Sequence, residues 1–182
     1  TDLNAAVMGI RSLGIKGASV TIPHKISIMN LLDEIDPEAE KIGAVNTVLN
    51  QNGKLTGYNT DCMGIVLALK EKTSIHNKKV AILGAGGAAR AAGFGIKKQG
   101  GEIMIVNRTD QTGETLAADL GSSYMNLQEF KADAIDIIVN TTSVGMYPDL
   151  DKCPVDPSYL SNCSVVMDII YNPLKTKLLM RA

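Results

Sequence analysis

A glycine-rich segment between an apolar run and a helix-forming run is the first feature of this sequence that could do chemistry. Residues 84 to 90 read GAGGAAR and directly follow VAIL. Gly84 permits a tight turn, Gly86 lets the backbone approach a pyrophosphate, and Ala89 lets a helix pack closely on a sheet. The free amide groups at the start of that helix can bind the anion. The pattern therefore predicts a dinucleotide-binding turn.

The segment that follows the next apolar run indicates which dinucleotide would bind. Asn107, Arg108 and Thr109 stand where an NAD site usually carries an acidic residue for the ribose 2′-hydroxyl. A carboxylate would repel a 2′-phosphate, whereas a guanidinium can bind it through charge-assisted hydrogen bonds. Arg108 therefore favours NADP(H) as the cofactor, and a solvated surface arginine is the alternative interpretation.

Two charged residues in the first half could take part in proton transfer. Lys25 follows the run SVTIPH, and Asp61 follows GYNT. We expect Pro23 to begin a helix with Lys25 in its first turn, where the helix dipole disfavours a cation. By residue type alone, Lys25 is more typical of a solvated surface lysine. Asn59 and Asp61 are more typical of helix caps, and Asn46 of a turn.

A polar segment, NTTSVGM at residues 140 to 146, follows the apolar run at 135 to 139. Ligands in open α/β sheets bind at the carboxyl ends of parallel strands. We therefore expect Thr142 and its neighbours to border the nicotinamide end of a cofactor. Met146 by itself is more typical of packing.

The elements that would position these groups alternate in the second half. Apolar strands separated by helices indicate an α/β fold with a Rossmann-like, doubly wound parallel sheet. This half, residues 73 to 182, is expected to be the nucleotide-binding domain. The predicted strands are 79–83, 103–106, 135–139 and 165–169, and the predicted helices are 87–98, 111–120 and 174–181.

The first half, residues 1 to 72, is typical of part of a smaller α/β domain that would bind the substrate. Asp2 can cap a helix whose apolar face carries Leu3, Ala6, Val7 and Ile10. Further signals predict a strand at 18–21, a helix from Asp36-Pro37, an Asn52-Gly53 hairpin joining 44–49 to 55–58, and a helix at 61–72. The polar run at 73–77 separates the two domains.

Composition and charge argue against several classes of protein. A net charge of −1 and 45% hydrophobic residues favour an ordinary globular protein over a nucleic-acid-binding or polybasic membrane surface. No stretch approaches the roughly 20 apolar residues of a membrane span. Three cysteines without CxxC spacing and two histidines predict no metal site, and reduced thiols are typical of a cytoplasmic protein.

Seven motifs in a fixed order resemble the shikimate dehydrogenase family. They are VTIPHK, GAVNT, GYNTD, GAGGAAR, NRT, NTTSVGM and DIIYNPLKT, and they lie between Ser19 and Thr176. Each motif is short, but their common order over nearly the whole chain is specific. The resemblance implies an oxidoreductase that transfers hydride from NADPH to 3-dehydroshikimate, giving shikimate on the route to chorismate and the aromatic amino acids.

The resemblance also implies roles for individual residues. Lys25 matches the catalytic lysine that donates a proton to the developing alkoxide, and Asp61 matches its aspartate partner. Both match substrate-contacting positions too, as do Thr21, Asn46 and Tyr171. The implied cofactor positions are Gly84, Ala85, Gly86, Gly87 and Ala88 at the pyrophosphate, Asn107, Arg108 and Thr109 at the adenosine phosphate, and Ile169 at the nicotinamide, where a plain buried strand residue is the alternative.

The chain departs from the family pattern in three places. Ser19 stands where the family often has Asn, and neither the initial GxPxxHSxSPxxHN-type segment nor the final GxxMLxxQ-type segment is present. We therefore expect either a portion of a longer polypeptide or a degenerate relative, and we expect the chain by itself to bind its small-molecule substrate poorly. A homodimer is a further possible assembly.

Three other functions compete with this interpretation. The first is a quinate dehydrogenase that uses NAD, and the second is a regulatory relative without turnover, against which the presence of both Lys25 and Asp61 argues. The third is another two-domain enzyme such as a methylene-tetrahydrofolate dehydrogenase. With 4% aromatic residues and no Trp, the chain has little on which a folate could stack.

Overall fold

The computed structural model divides the chain into two compact units, Thr1–Cys62 and Met63–Ala182. It describes residues 2 to 182, without the side chain of Asn162. The division falls within helix α3 (Asp61–Lys70), whereas the polarity of the sequence places the domain boundary at 72/73. The reason for the difference is packing, because the apolar residues of α3 belong to the core of the second unit.

The first unit contains a four-stranded sheet with helices packed on it. Its elements are α1 (Leu3–Ser12), β1 (Gly17–Ser19), a 3-10 helix (Ser27–Leu31), β2 (Glu34–Ile35), α2 (Pro37–Ile42), β3 (Thr47–Gln51) and β4 (Lys54–Tyr58). The strand order is β1-β3-β4-β2, and only β2 runs parallel to its neighbour. Asn52 and Gly53 form the tight turn between β3 and β4 with φ of 55° and 90°, as a two-residue hairpin requires.

Two predicted helix caps in this unit are confirmed. The Asp2 carboxylate accepts a hydrogen bond from the Ala5 amide at 3.0 Å, and Asp36 accepts one from the Glu38 amide at 2.9 Å. The apolar face of α1 differs in one position, because Ala6 is exposed while Val7 is buried. A methyl group gains little from burial, so the longer side chains of this helix decide which face meets the sheet.

The prediction that a helix begins at Pro23 is wrong. The chain makes a turn in which the His24 amide donates to the Thr21 carbonyl at 2.9 Å, and the 3-10 helix starts only at Ser27. The Lys25 carbonyl accepts instead from the Val45 amide of a neighbouring segment, at 2.8 Å. Lys25 therefore lies in a turn before the helix, and the unfavourable helix dipole does not apply to it.

The second unit is a Rossmann-like, doubly wound parallel sheet, as predicted. Its elements are the remainder of α3, β5 (Lys79–Leu83), α4 (Gly87–Lys98), β6 (Glu102–Asn107), α5 (Asp110–Leu120), β7 (Ser123–Asn126), β8 (Ile137–Asn140), a second 3-10 helix (Pro157–Asn162), β9 (Val165–Asp168) and α6 (Lys177–Arg181). All five strands are parallel in the order β7-β6-β5-β8-β9. The chain winds outward from β5 to β7 and then returns to β8, so the direction reverses between β5 and β8, where such sheets bind ligands.

Alternate residues of the central strand, β5, contribute to two apolar layers, one on each face of the sheet. Val80 and Ile82 pack with residues of α3, α4 and α5, whereas Ala81 and Leu83 pack on the other face with residues of the second 3-10 helix and α6. The sequence did not predict strand β7, because this strand is short, partly polar and at the edge of the sheet. Among the described residues, no helix is both long and apolar enough to cross a membrane.

Two glycines of the first unit should respond in opposite ways to alanine. A Cβ at Gly57 would lie 2.6 Å from Leu32 Cδ1 and 2.7 Å from Val45 Cγ2, whereas a Cβ at Gly9 in α1 would meet nothing within 4 Å. Gly57→Ala should lower the free energy of unfolding by about 1–3 kcal/mol, because the core is already filled. Gly9→Ala should raise it by about 1 kcal/mol, because alanine is the better helix former.

Hydrogen exchange of the β3 and β4 amides under increasing urea would measure both effects within the first unit. Equal responses from the two variants would contradict the packing described around Gly57.

Candidate functional site

Lys25 and Asp61 form an ion pair within the first unit. The Lys25 Nζ lies 2.5 Å from Asp61 Oδ2, and the two side chains are only 14% and 26% exposed. A largely buried pair is screened less by salt and water than a surface pair, but it is stable only where further hydrogen bonds satisfy the charges. The pair therefore depends on the groups that surround the carboxylate.

Asn46 supplies those hydrogen bonds. Its Nδ2 donates to Asp61 Oδ1 at 2.8 Å and to Thr60 Oγ1 at 2.9 Å. Its Oδ1 accepts from the Thr60 amide at 3.0 Å and from Thr47 Oγ1 at 2.8 Å. Both oxygens of Asp61 are thus occupied, one by the lysine ammonium and one by the asparagine amide.

Backbone hydrogen bonds bring these distant residues together. The Val20 amide donates to the Asn46 carbonyl at 2.7 Å, and the Asn46 amide donates to the Tyr58 carbonyl at 3.0 Å. The loop carrying Lys25, the start of β3 and the end of β4 therefore meet at one end of the two central strands of the first sheet.

Asn59 is a site residue to which sequence analysis gave only a possible capping role. Its Oδ1 accepts from the Cys62 amide at 3.2 Å, which caps α3, and its Nδ2 donates to the Ala44 carbonyl at 2.9 Å. Asp61 is consequently the first residue of a helix whose start is anchored to the segment between α2 and β3. The run Asn-Thr-Asp before an apolar stretch is the sequence signal for the cap. No feature of the sequence indicates the hydrogen bond to Ala44.

The remaining predicted substrate residues are placed differently. Thr21 is exposed and lies at the start of the turn that carries Lys25. Tyr171 belongs to the second unit, where it follows β9 and is 84% exposed. The structure thus brings Lys25, Asn46 and Asp61 into direct contact, places Thr21 on the same loop, and leaves Tyr171 on another unit.

The glycine turn of the second unit has the geometry that an anion site needs. Gly84 has φ of 110°, and a Cβ there would lie 2.9 Å from Thr141 Oγ1 and 3.1 Å from Thr142 Cγ2. Gly86 is the extended N-cap residue that precedes α4, and the space that its Cβ would occupy is open. Within the described residues, the amides of Gly87 and Ala88 have no hydrogen-bond partner, so they remain available to a ligand.

A buried polar network orders the carboxyl ends of β8 and β9. Asn140 is fully buried, and its Nδ2 donates to Asp168 Oδ1 at 3.0 Å. Its Oδ1 accepts from the amide and the hydroxyl of Thr142, at 3.0 and 2.7 Å. Asp168 also accepts from Thr176 Oγ1 at 2.7 Å and from the Ile170 amide at 3.0 Å. The network therefore fixes the orientation of Thr142 next to the glycine turn.

Within the described residues, Asp168 is a carboxyl group held by neutral donors and has no cationic partner. Burial raises the pKa of the Asp168 carboxyl above its ordinary value, and hydrogen bonds from Thr176, Ile170 and Asn140 partly oppose that increase. The sequence does not mark this residue as a site residue, because an aspartate inside the motif DIIYNPLKT gives no sign of its desolvation. Ile169, next to it, packs partly buried against the core on the α4 side of the sheet.

Arg108 lies exposed in the turn between β6 and α5. Within the described part of the chain it makes no hydrogen bond or ion pair, so its guanidinium is available to an anionic ligand. Asn107 shapes that turn, since its Nδ2 donates to the Thr109 carbonyl at 2.8 Å and to Thr112 Oγ1 at 2.9 Å. Thr109 is the N-cap residue that precedes α5, and its side chain makes no capping hydrogen bond.

Comparison with known proteins finds one family throughout the chain. The family description "Shikimate dehydrogenase substrate binding domain" matches residues 1–48, and "Shikimate / quinate 5-dehydrogenase" matches residues 66–147. The chain is 46% identical over 183 residues to the shikimate dehydrogenase (NADP(+)) of Caldanaerobacter subterraneus, covering 96% of this chain and 65% of that protein. It is 47% identical over 189 residues to the protein of the same name from Bacillus cereus, covering 99% and 68%.

A solved structure agrees with these sequence relatives. The crystal structure of a shikimate dehydrogenase in complex with NADP+ superposes with a TM-score of 0.90 at 44% identity, covering 100% of this chain and 67% of that one. The chain thus spans about two thirds of the length of the relatives it matches.

The raised pKa of Asp168 predicts a particular dependence of stability on pH. A carboxyl group whose pKa rises on folding stabilises the folded state most below its unfolded pKa of about 3.9, and this contribution is lost as pH rises through the raised value. We therefore expect the difference in unfolding free energy, wild type minus Asp168→Asn, to fall as pH increases from about 4 to 7.

Urea unfolding of both proteins at each pH, followed by circular dichroism, would measure that difference. The other carboxylates are common to both proteins and cancel. A difference that is constant or that grows with pH would show that Asp168 is not a carboxyl group with a raised pKa.

Proposed function

We propose, since the chain belongs to the shikimate dehydrogenase family, that its complete protein reversibly reduces 3-dehydroshikimate to shikimate with NADPH. The observation that carries the proposal is the largely buried side chain of Lys25, whose ammonium lies 2.5 Å from Asp61. Reduction of a ketone leaves an alkoxide that must take up a proton, and a positioned ammonium can donate it. This is an oxidoreductase reaction on the path to chorismate and the aromatic amino acids.

Asp61 is assigned an orienting role. One of its oxygens accepts from Lys25 and the other from Asn46, so the carboxylate is held from two sides and directs the ammonium. In the reverse direction, Lys25 would accept the hydroxyl proton of shikimate. Thr21, Asn46 and Tyr171 are proposed to contact the substrate, and the hydrogen bonds of Asn46 support a second role for it in holding the carboxylate.

The second unit supplies groups that fit NADP(H). The free amides of Gly87 and Ala88, next to the turn of Gly84, Ala85 and Gly86, suit the pyrophosphate. Arg108, flanked by Asn107 and Thr109, suits a 2′-phosphate. Thr142 and Ile169 stand at the carboxyl edge of the sheet, where we place the nicotinamide, the part of the cofactor that supplies hydride.

This assignment gives the two halves different roles. Residues 1–72 would bind the substrate and carry the proton donor, and residues 73–182 would bind the cofactor. The three cysteines are free thiols, which supports a reducing compartment such as the cytoplasm. The greater length of the relatives supports the view that this chain is part of a longer polypeptide. That polypeptide could also form a homodimer.

Lys25→Met should remove the proton donor while preserving most of the shape of the side chain. We expect the turnover rate of the complete protein to fall by roughly 10²- to 10⁴-fold, the usual contribution of a general acid. NADPH consumption with 3-dehydroshikimate would measure the rate.

Lys41→Met provides the matched control, because Lys41 is an exposed lysine of the same unit at the end of α2. An unchanged rate for Lys25→Met would remove this residue from the mechanism. Assays in the oxidative direction with shikimate and quinate, each with NADP and NAD, would show whether quinate is the better substrate.

Arg108→Ala should weaken NADP binding specifically. Loss of charge-assisted hydrogen bonds of about 1.5–3 kcal/mol corresponds to roughly 10- to 150-fold in the dissociation constant. NAD lacks the 2′-phosphate, so its affinity should change little. Isothermal titration with both cofactors would make the comparison, and an equal loss for the two would assign Arg108 to another part of the cofactor or to the fold.

A further inference from the structure

The turn proposed to bind the 2′-phosphate contains a carboxylate as well as a guanidinium. Asp110 is the first residue of α5 and follows Arg108 by two positions. A carboxylate this close to the cofactor ribose would repel a 2′-phosphate and could also pair with Arg108. A turn that selects a 2′-phosphate must therefore keep the two charges apart.

Two hydrogen bonds from β7 hold the Asp110 carboxylate in place. Tyr124 Oη donates to Asp110 Oδ1 at 2.6 Å, and Asn126 Nδ2 donates to the same oxygen at 2.5 Å. These two bonds hold the pKa of the Asp110 carboxyl below its ordinary value, and the bond from Tyr124 has the larger effect. Burial and the neighbouring carboxylate raise the pKa of Tyr124 to about 12, so the phenol remains a hydrogen-bond donor at neutral pH.

Tyr124 can reach this position because α5 has a glycine opposite its ring. A Cβ at Gly113 would lie 2.3 Å from Tyr124 Cε2 and 3.1 Å from Asn107 Cβ. The ring therefore occupies the space that a side chain of α5 would fill. Its hydroxyl also lies 3.2 Å from the Asn107 carbonyl, at the start of the turn.

The arrangement explains why Arg108 has no carboxylate partner although Asp110 is nearby. The donors that face Asp110 are neutral and come from β7, and within the described residues Asp110 makes no ion pair. The negative charge is thus satisfied without consuming the guanidinium.

We propose that Tyr124, together with Asn126, is a positioning residue that withholds the Asp110 carboxylate from Arg108 and thereby sets the preference for a 2′-phosphorylated nucleotide. The inference rests on the proposed function, because it assumes that Arg108 binds the 2′-phosphate. Tyr124 acts through Asp110 and Arg108 and need not touch the cofactor.

Two nucleotides that differ only by the 2′-phosphate test the proposal on the full chain. These are adenosine 2′,5′-bisphosphate and 5′-AMP, with affinities measured by isothermal titration. Tyr124→Phe combined with Asn126→Ala removes both donors and frees the carboxylate. Affinity for the bisphosphate should fall about tenfold, as expected for the loss of an interaction with a charged group, while affinity for 5′-AMP stays within about twofold.

Adding Asp110→Asn to the same two substitutions should restore the affinity for the bisphosphate to within about threefold of wild type. Both variants lack the same two donors, so their comparison isolates the charge of Asp110 from any change in loop shape. Tyr159→Phe is the matched control, because Tyr159 packs edge-on against Phe130 in the other apolar layer of the same unit.

The outcomes separate this inference from the proposed function. If wild type does not distinguish the two nucleotides, Arg108 does not bind a 2′-phosphate and the cofactor assignment fails together with the inference. If wild type prefers the bisphosphate but removal of the two donors leaves that preference intact, only the inference fails. A lost preference that Asp110→Asn does not restore would also overturn it, since the tyrosine would then act by shaping the turn.

Discussion

The hydrogen bonds of Asn46 are the constraint on which the chemistry of the first unit depends. A buried ion pair loses hydration, and Lys25 and Asp61 retain a defined geometry only because the second carboxylate oxygen is also satisfied. The same amide group binds Thr60 and so fixes the entry into α3. One uncharged side chain therefore orients the carboxylate, while another, Asn59, caps the helix that carries it.

The second unit solves a related problem at the carboxyl edge of its parallel sheet. Polar groups must be available to a ligand there, yet their supports are buried and need partners of their own. Thr141 Oγ1 donates to the Leu83 carbonyl at 2.6 Å, and Asn140 connects Thr142 to Asp168. Within the described residues, the donors to Asp168 are neutral, so the network orders these side chains without a buried salt bridge. Desolvation of the carboxyl group is not offset by a cation, and its pKa is therefore raised.

Opposite charges on one short turn show how packing can decide the function of a motif. Arg108 would attract a 2′-phosphate and Asp110, two residues later, would repel it, so the order of residues alone cannot say which charge a ligand meets. Strand β7 decides it, because Tyr124 and Asn126 both donate hydrogen bonds to the carboxylate. The space for that contact comes from Gly113, whose lack of a side chain would otherwise have no explanation.

Local patterns determined much of this protein by themselves. Strand β5 and helix α4 have the bounds that their apolar runs and glycines predicted, and the order of strands and helices indicated the parallel sheet. Tertiary structure decided what depends on residues far apart in the chain: the turn at Pro23, where a contact from Val45 replaces a helical hydrogen bond, the edge strand β7, and the burial of Asp168. The physical reason is that propensity and periodicity act over a few neighbouring residues, whereas hydrogen-bond partners and desolvation are set by whichever segments the completed fold brings together.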